Sequence, residues 1–600
     1  MIPKAYRKDV FVGIGIFIFA LSLRLLYWAF LKQHYLFYES PSEDVLYYHE
    51  WAHEIASGQS QQSVFWGMPL YPYFLAVLYQ FTLGNFFLIR FLHLILGSAN
   101  CVLMHLVGRK IFGQRVGLAA SLLMACNFVL IYYDWLMLPV GVVVTLSLLV
   151  VWAFLDLNQK YHPQEAFLLG ILLGLSMLGD GKFILFFMGL VVLRLGGWFR
   201  QRREDLKILI PLALGVVLVL SLVLLRNRVQ GGDWILISAQ SGFSFYVGNN
   251  PQSDGIFDNL GFIRPTHQGQ DEDQKIVAEQ ILRRPLTAAE VSRFWRNQGL
   301  NFMRSAPADY MKLLIRKFHL FWVEHEGAHD IDLLLQHQWK KLLDFNPFSL
   351  IVSLGLLGMI LTRRGYPGGG FSNLMILSQL FFTLIFFLTT KHRASILPFL
   401  ILYEAFSIFW LVEKIREKNI KPILLASLFV SFSFMVFRPV ALEAKAIEFL
   451  RLSKSGTILE KRKEYGKAQE QYLKALEINP YDAQLIYNLG NVLLSQDQFD
   501  SAVSYYQRSL AMNPYHADAL FNLGVAYEKL NKEDMALFYY QKVLALEPES
   551  PDTHFRLAKI YDAKGLCPQA LYHYGKIIKI KPYFNLPWSD LLANCIPHRK

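Results

Sequence analysis

The sequence predicts an all-α protein in two parts. A multi-spanning membrane domain with a small mixed segment outside the bilayer comes first, and a soluble α-solenoid follows. Three observations carry this. The 600 residues are 54% hydrophobic and only 18% charged, too apolar and too long for one soluble domain. Apolar runs fill the chain as far as Val440, many near the ~20 residues that cross a bilayer as a helix. Beyond Val440 the chain is polar and repeats itself with a period of 34 residues.

The expected spans are 10–32, 86–107, 115–132, 136–155, 165–179, 183–199, 207–225, 347–362, 372–390, 394–412 and 420–438. The first run is too long for a signal-peptide core and reads as a retained span. The stretch 69–83 is short and carries Pro69 and Pro72, so it reads as a re-entrant or surface helix of the first large loop, 33–85. With eleven spans the basic loops share one side. Lys4, Arg7 and Lys8 precede the first span, Arg109, Lys110 and Arg115 follow the second, and Arg200, Arg202, Arg203 and Lys207 continue the pattern. Arg363 and Arg364, then Lys414, Arg416, Lys418 and Lys421, complete it. The positive-inside rule makes that side cytoplasmic, together with the N-terminus. Counting 69–83 as a span would reverse every later loop. The net charge of +12 is thus a topology signal and not a footprint for nucleic acid.

The opposite side receives 38–67, 132–135, 179–182, 389–393 and the long loop 226–345. That loop opens on a strand-like run, Asp233-Trp-Ile-Leu-Ile-Ser238, and continues as helix. Acids and bases gathered on one face suit an extracytoplasmic site at the membrane border. Cys101 and Cys126 lie in apolar runs and read as packing residues. Cys567 and Cys595 can pair only in an oxidising compartment.

In the polar part, Pro480, Pro514, Pro548 and Pro582 are spaced by 34, as are Ala468, Ala502, Ala536 and Ala570, and Tyr472, Tyr506, Tyr540 and Tyr574. Asn488-Leu-Gly490 returns as Asn522-Leu-Gly524. Small residues where two helices cross, an aromatic on the second helix and a proline after it form the tetratricopeptide signature. About four units fit 447–600, and Pro587-Trp588 begins a capping helix. An odd number of spans places this solenoid outside the cytoplasm, with a concave face suited to a protein partner.

From Asp44 onward Val45, Tyr48, Ala52 and Ile55 recur at helical spacing, an amphipathic helix along the membrane surface with Glu43 and Asp44 at its start. A carboxylate there can take a proton from an incoming hydroxyl or amine. It can equally be a solvated first-turn acid that complements the helix dipole. Asp134, beside Trp135 at another outer helix end, admits the same two readings. Lys391 and Arg393 open the tenth span on the outer side, against the positive-inside bias, where they suit a lipid-linked phosphate or anchor to headgroups. Lys182 is similar, with Asp180 as an alternative partner.

Two strings, His49-Glu-Trp-Ala-His53 and His325-Glu-Gly-Ala-His329, have the histidine spacing of zinc proteases. Neither has a third ligand at a known spacing, and Gly327 weakens the second helix. Gly368-Gly-Gly370 lacks the lysine of a nucleotide loop, which disfavours ATP or nucleotide-sugar chemistry. Energy must then arrive stored in the donor. A non-enzymatic membrane scaffold and a membrane zinc protease are the rival readings, and the need for a divalent metal stays open.

The acidic first loop with Ser42-Glu-Asp-Val-Leu-Tyr-Tyr48, then Pro69-Leu-Tyr-Pro-Tyr73, Gly108-Arg-Lys-Ile-Phe-Gly113 and Tyr133-Asp134, resembles membrane glycosyltransferases of the GT-C fold, the group of protein O-mannosyltransferases and aminoarabinose transferases. Ser241-Gly-Phe-Ser-Phe-Tyr-Val-Gly-Asn-Asn-Pro251, Leu286-Thr287, Glu290-Val-Ser292, Pro307 and Arg316-Lys317 are similar to the bacterial branch of family 39, some members of which carry tetratricopeptide tails. The resemblance implies a GT-C domain over 1–440 and an inverting transfer of a hexosyl or pentosyl group from a polyprenyl-phosphate donor to a protein, glycan or lipid on the outer leaflet of a bacterial cytoplasmic membrane. It implies Asp44 as the acid that activates the acceptor, Asp134 as a second acid, and Lys391 and Arg393 as ligands of donor phosphate. Lys391-His392 stands where relatives have Arg-Tyr, and Pro139-Val140 where many have an acid.

Overall fold

The computed structural model describes residues 4–34, 43–58, 64–157, 162–195, 202–256, 260, 263–264, 267–323, 347–363, 365–366, 368–437 and 444–580. Those residues are helical almost throughout, joined by short turns, and the one β feature among them is an isolated bridge between Ile256 and Leu388. The chain divides into two compact units. Met1–Asp258 with Leu282–Ala441 form the first, and Asn259–Ile281 with Leu442–Lys600 form the second. The change near Val440 lies where composition shifts. The inclusion of 259–281 in the second unit has no counterpart in the sequence pattern.

In the first unit each of the eleven apolar stretches is mostly helix over its described residues. Asp9–Lys32, Phe86–Phe112, Val140–Leu157 and Leu206–Gly231 are long and apolar enough to cross a membrane alone, and Gln114–Ala125 with Phe128–Leu136 pass that test together as a pair bent by 57°. Pro163–Met177, Phe348–Leu361, Gly369–Ile385 and Ile420–Val436 are apolar but shorter. Their outward faces confirm the solvent. Leu424, Leu425, Leu428, Phe432 and Met435 on one helix, and Ile210, Leu214, Val217 and Leu222 on another, are exposed in rows that water would not tolerate. The protein is an integral membrane protein.

Helix ends follow local chemistry. Asn85 starts Phe86–Phe112 by accepting from the N–H of Phe87 and Leu88. Asn127 accepts from Leu130 N and restarts the chain after the bend. Thr287 and Glu290 close a capping box on Ala288–Ser305. The stretch 69–83 yields Leu70–Thr82, a 13-residue helix that ends where Leu83 turns left-handed at φ 51.

The strand expected at 233–238 does not form. Ile235 and Ile237 point inward and Trp234 and Leu236 outward, so the two-residue alternation is present. No neighbouring strand pairs with it. Instead Asn227 Nδ2 donates to the carbonyls of Ile235 and Ile237 at 2.9 and 3.4 Å, and Ala239 N donates to Phe65 O at 2.8 Å. Among the described residues the non-spanning part of this unit is therefore helix and loop, not mixed.

The second unit is a stack of helix pairs: Ala444–Lys461 with Tyr465–Ile478, Ala483–Ser495 with Phe499–Met512, Ala517–Lys529 with Glu533–Leu546, and Pro551–Ala563 with Cys567–Ile580. The 34-residue positions do the packing. Ala468, Ala502, Ala536 and Ala570 are completely buried, and Tyr472, Tyr506, Tyr540 and Tyr574 are nearly so. A Cβ on Gly490 would lie 2.7 Å from the Tyr506 ring and one on Gly524 2.6 Å from Tyr540, so each tyrosine lies on a glycine of its partner helix. Cys567 is disulfide-bonded and Cys101 and Cys126 are free. Cys595 and the capping helix expected from Pro587 lie outside the described residues.

Candidate functional site

The site begins with the helix Glu43–Ala56, which buries Val45 and Ala52 and packs Tyr48 and Ile55 against the core, as the periodicity requires. That leaves Asp44 at its first turn. The matching cation comes from the far end of the unit. Thr389 opens the short helix Thr390–Ala394, its hydroxyl oxygen accepting from His392 N at 3.3 Å. The next residue but one, Lys391, donates from Nζ to Asp44 Oδ2 at 2.6 Å across 347 residues of sequence. Both side chains are about one-third open, at 29% and 30% exposure, so solvent or a ligand reaches the pair.

The segment before Thr389 is gripped from several directions. Lys317 Nζ donates to Phe386 O at 2.6 Å, Leu384 O at 3.2 Å and Asn249 Oδ1 at 3.0 Å, and Asn249 Nδ2 donates to Ile385 O at 2.7 Å. Leu388 N donates to Gly255 O at 2.9 Å. The carbonyls of Leu384, Ile385 and Phe386 and the N–H of Leu388 are thus all held, and they fix the loop that delivers Lys391.

His392 is set between Phe382 and Phe387, with ring centroids at 5.8 and 6.3 Å. Its Nδ1 is buried and has no hydrogen-bond partner among the described residues. Burial pushes its pKa down to about 4, with the charges of Asp180, Lys391, Lys182 and Asp44 also felt at the ring. Lys182 is fully buried, donates to Ser395 Oγ and lies 3.4 Å from Asp180 Oδ2. Tyr48, beside Lys391 and Asp44, has its hydroxyl pushed up to about 12 by burial.

The loops expected on one side are in contact. Leu70 N donates to Leu178 O at 3.2 Å, Tyr71 Oη to Met137 O at 2.5 Å, and Gln240 N to Trp66 O at 3.2 Å. The charges of Asp44, Lys391, Lys182 and Asp180 all act on the neutral ring of His392, so these five residues form one neighbourhood. Two expected members face elsewhere. Asp134 is buried in an ion pair with Arg24, whose Nε and Nη2 both lie 2.9 Å from Oδ2. A Cβ at Gly97 would overlap the Asp134 carboxylate, so this acid is seated in a slot that only glycine leaves open. Arg393 is 4% exposed, donates to the carbonyls of Leu320 and Val323, and lies 4.3 Å over the Phe348 ring. These contacts tie the short helix to the end of Pro307–Trp322.

Glu43 starts its helix, and nothing further is described of its side chain. His49 Nδ1 meets the Tyr79 hydroxyl and its ring lies 4.2 Å from Phe86. Burial, with His53 nearby, lowers its pKa. No group of three His, Cys, Asp or Glu suited to a metal occurs among the described residues. His325 and His329 lie outside them. Arg24 looks in the sequence like any lone polar residue in a span, and Lys317 stands there only within the Arg316-Lys317 motif, with no role, because its burial follows from its tertiary surroundings.

A helical membrane body carrying a charged border site, joined to a helical-repeat module, is the class of protein this structure defines. Residues 67–240 match the dolichyl-phosphate-mannose-protein mannosyltransferase family, and residues 452–482 and 481–549 match tetratricopeptide repeat families. The chain thus holds a stretch similar to that mannosyltransferase family, followed by tetratricopeptide repeats, which supports glycosyl transfer with a repeat module attached. The matched stretch contains Asp134, Asp180 and Lys182 but stops short of Asp44 and Lys391. No curated protein matches the chain. Among solved structures, a crystal structure of MamA is 25% identical over 22% of this chain and 78% of that one, with a TM-score of 0.22. YrrB, a repeat protein with a peptide-binding site, is 23% identical over 28% and 82%, with the same TM-score of 0.22. The Archaeoglobus fulgidus oligosaccharyltransferase in the apo form is 12% identical over 74% of this chain and 57% of that one, with a TM-score of 0.35.

Proposed function

We propose that the protein transfers a sugar, with inversion, from a polyprenyl-phosphate-linked donor to a hydroxyl of a protein, glycan or lipid acceptor on the extracytoplasmic face. The observation that carries this reading is the 2.6 Å contact between Asp44 and Lys391, two partly open opposite charges that meet from opposite ends of the domain. Paired with each other, the two charges are neutralised. Arrival of the donor phosphate offers Lys391 a stronger anion and releases the Asp44 carboxylate. The acceptor oxygen then attacks the anomeric carbon, its proton passes to Asp44, and the bond from that carbon to the phosphate oxygen breaks, so that polyprenyl phosphate departs with the electron pair. Lys391 offsets the charge growing on the leaving phosphate. Lys182, bound to Ser395, and Arg393, bound to Leu320 and Val323, support the helix that presents Lys391.

The test is transfer from a polyprenyl-phosphate sugar by the purified full chain. Asp44→Asn should lower the rate by about 10²- to 10⁴-fold while the melting temperature stays within a few degrees. Undiminished transfer by Asp44→Asn would overturn the assignment, and a scaffold without enzymatic function would show no transfer in either form.

A further inference from the structure

The segment Asn259–Ile281 leaves the loop of the first unit and packs within the second. Ile263 and Arg264 are buried there at 4% and 8% exposure. Arg264 is surrounded by four carboxylates. Its backbone N–H donates to Asp273 Oδ2 at 2.7 Å, Nε to Asp273 Oδ1 at 3.0 Å, and Nη2 to Asp273 Oδ1 at 2.8 Å and Glu272 Oε2 at 2.6 Å. Those two acids come from its own segment. The other two come from the repeats: Nη1 donates to Asp518 Oδ2 at 3.2 Å and Nη2 to Glu547 Oε1 at 3.4 Å. Asp518 lies in the first turn of Ala517–Lys529, and Glu547 ends the following helix, Glu533–Leu546.

The repeat surface around Arg264 is polar and ordered across neighbouring repeats. Tyr487 from Ala483–Ser495 lies tilted against His516 with ring centroids 4.5 Å apart, and Asn522 donates to Tyr487 Oη at 3.2 Å and to Asn491 Oδ1 at 2.9 Å. A guanidinium suits this place better than an ammonium, because carboxylates approach it from several directions in its plane. We propose that this surface of the repeat module is an arginine-reading site, and that in this protein it is filled from within by Arg264 and the segment 259–281. The repeats are thus occupied by a loop of the catalytic chain. A protein partner that uses the same surface must present an arginine in an extended segment and displace that loop.

The experiment uses the full chain in detergent, followed by hydrogen exchange and by binding of a synthetic peptide of residues 259–281. Arg264→Gln, and separately Asp518→Asn with Glu547→Gln, should raise exchange in His267–Leu282 by about tenfold or more while Ala483–Ser495 and Phe499–Met512 keep their protection. The peptide should bind the Arg264→Gln chain at least about tenfold more tightly than the wild type, whose site is already filled, or than a chain with Arg264→Gln, Asp518→Asn and Glu547→Gln together, whose site lacks its repeat acids. Arg264→Lys should fall between wild type and Arg264→Gln. Unchanged exchange in 267–282, exchange that rises equally in the repeat helices, or equal peptide binding by all chains would overturn the proposal. None of these readings depends on sugar transfer.

Discussion

Asp134 and Asp44 are both acids at helix ends of the first unit, and the structure gives them different neighbours. Asp134 is buried with Arg24, so removing either charge strands the other where water cannot reach it. Asp134→Ala or Arg24→Ala should cost about 3–5 kcal/mol of stability, read as a lower melting temperature with loss of expression. Replacing both with Leu and Met should recover much of that loss. Lys391→Met, in contrast, should abolish transfer while the chain melts normally. A second residue-scale consequence concerns His554 and His573, whose Nδ1 atoms lie 2.8 Å apart. His554 Nε2 faces Pro548 O at 3.1 Å and is the donor there, so His554 Nδ1 accepts and His573 Nδ1 donates. Burial pushes the His573 pKa down to about 4, and the pKa of His554 is lowered as well. Between about 4 and the unfolded value of about 6.5 the unfolded chain holds more protons. The stability from this pair is therefore complete above about pH 6.5 and lost as pH falls toward 4. Denaturation midpoints of the repeat helices measured from pH 4 to 8 should show that slope, and His573→Gln should flatten it.

At the scale of elements, Lys317 is the tie between Pro307–Trp322 and the loop that presents Lys391. Lys317→Met would leave Asn249 Oδ1, Leu384 O and Phe386 O short of a donor, and each unsatisfied buried oxygen costs about 1–3 kcal/mol. Transfer should fall together with thermal stability, a pattern that separates this residue from Asp44, where only transfer falls. The helices themselves were legible because their signals are local: apolar runs of bilayer length, prolines near ends, and a 34-residue spacing of Ala and Tyr. Glu43 to Ile55 was legible for the same reason. The alternation of Trp234 to Ile237 was equally clear, yet alternation specifies only which side chains face inward. Whether a strand results depends on a neighbouring backbone, and here the side chain of Asn227 takes that place. Arg24 and Lys317 were not legible because pairing across 110 residues, or with the carbonyls of a distant helix, leaves no trace in local spacing. Arg393 carried the right charge in the right loop, but local sequence does not say that its guanidinium reaches Val323 O.

For the whole molecule, the expected topology makes a direct prediction. A reporter inserted after Lys454 should be active only in its extracytoplasmic form, and a cytoplasmic signal would remove the protein's access to an outer-leaflet donor. The internal composition of the second unit carries a further consequence for dissection. The chain enters that unit at 259, leaves it at 281 and enters again at 442. Cutting at Val440 therefore does not release two intact halves. The shortened enzyme half would keep Leu260, Ile263 and Ala278, which are buried in the whole protein, with the surface that covers them gone. The released tail would bare Asp518 and Glu547 without the arginine that lies between them. Each fragment should stick to its surroundings or to the other, and mixing them should rescue solubility of both.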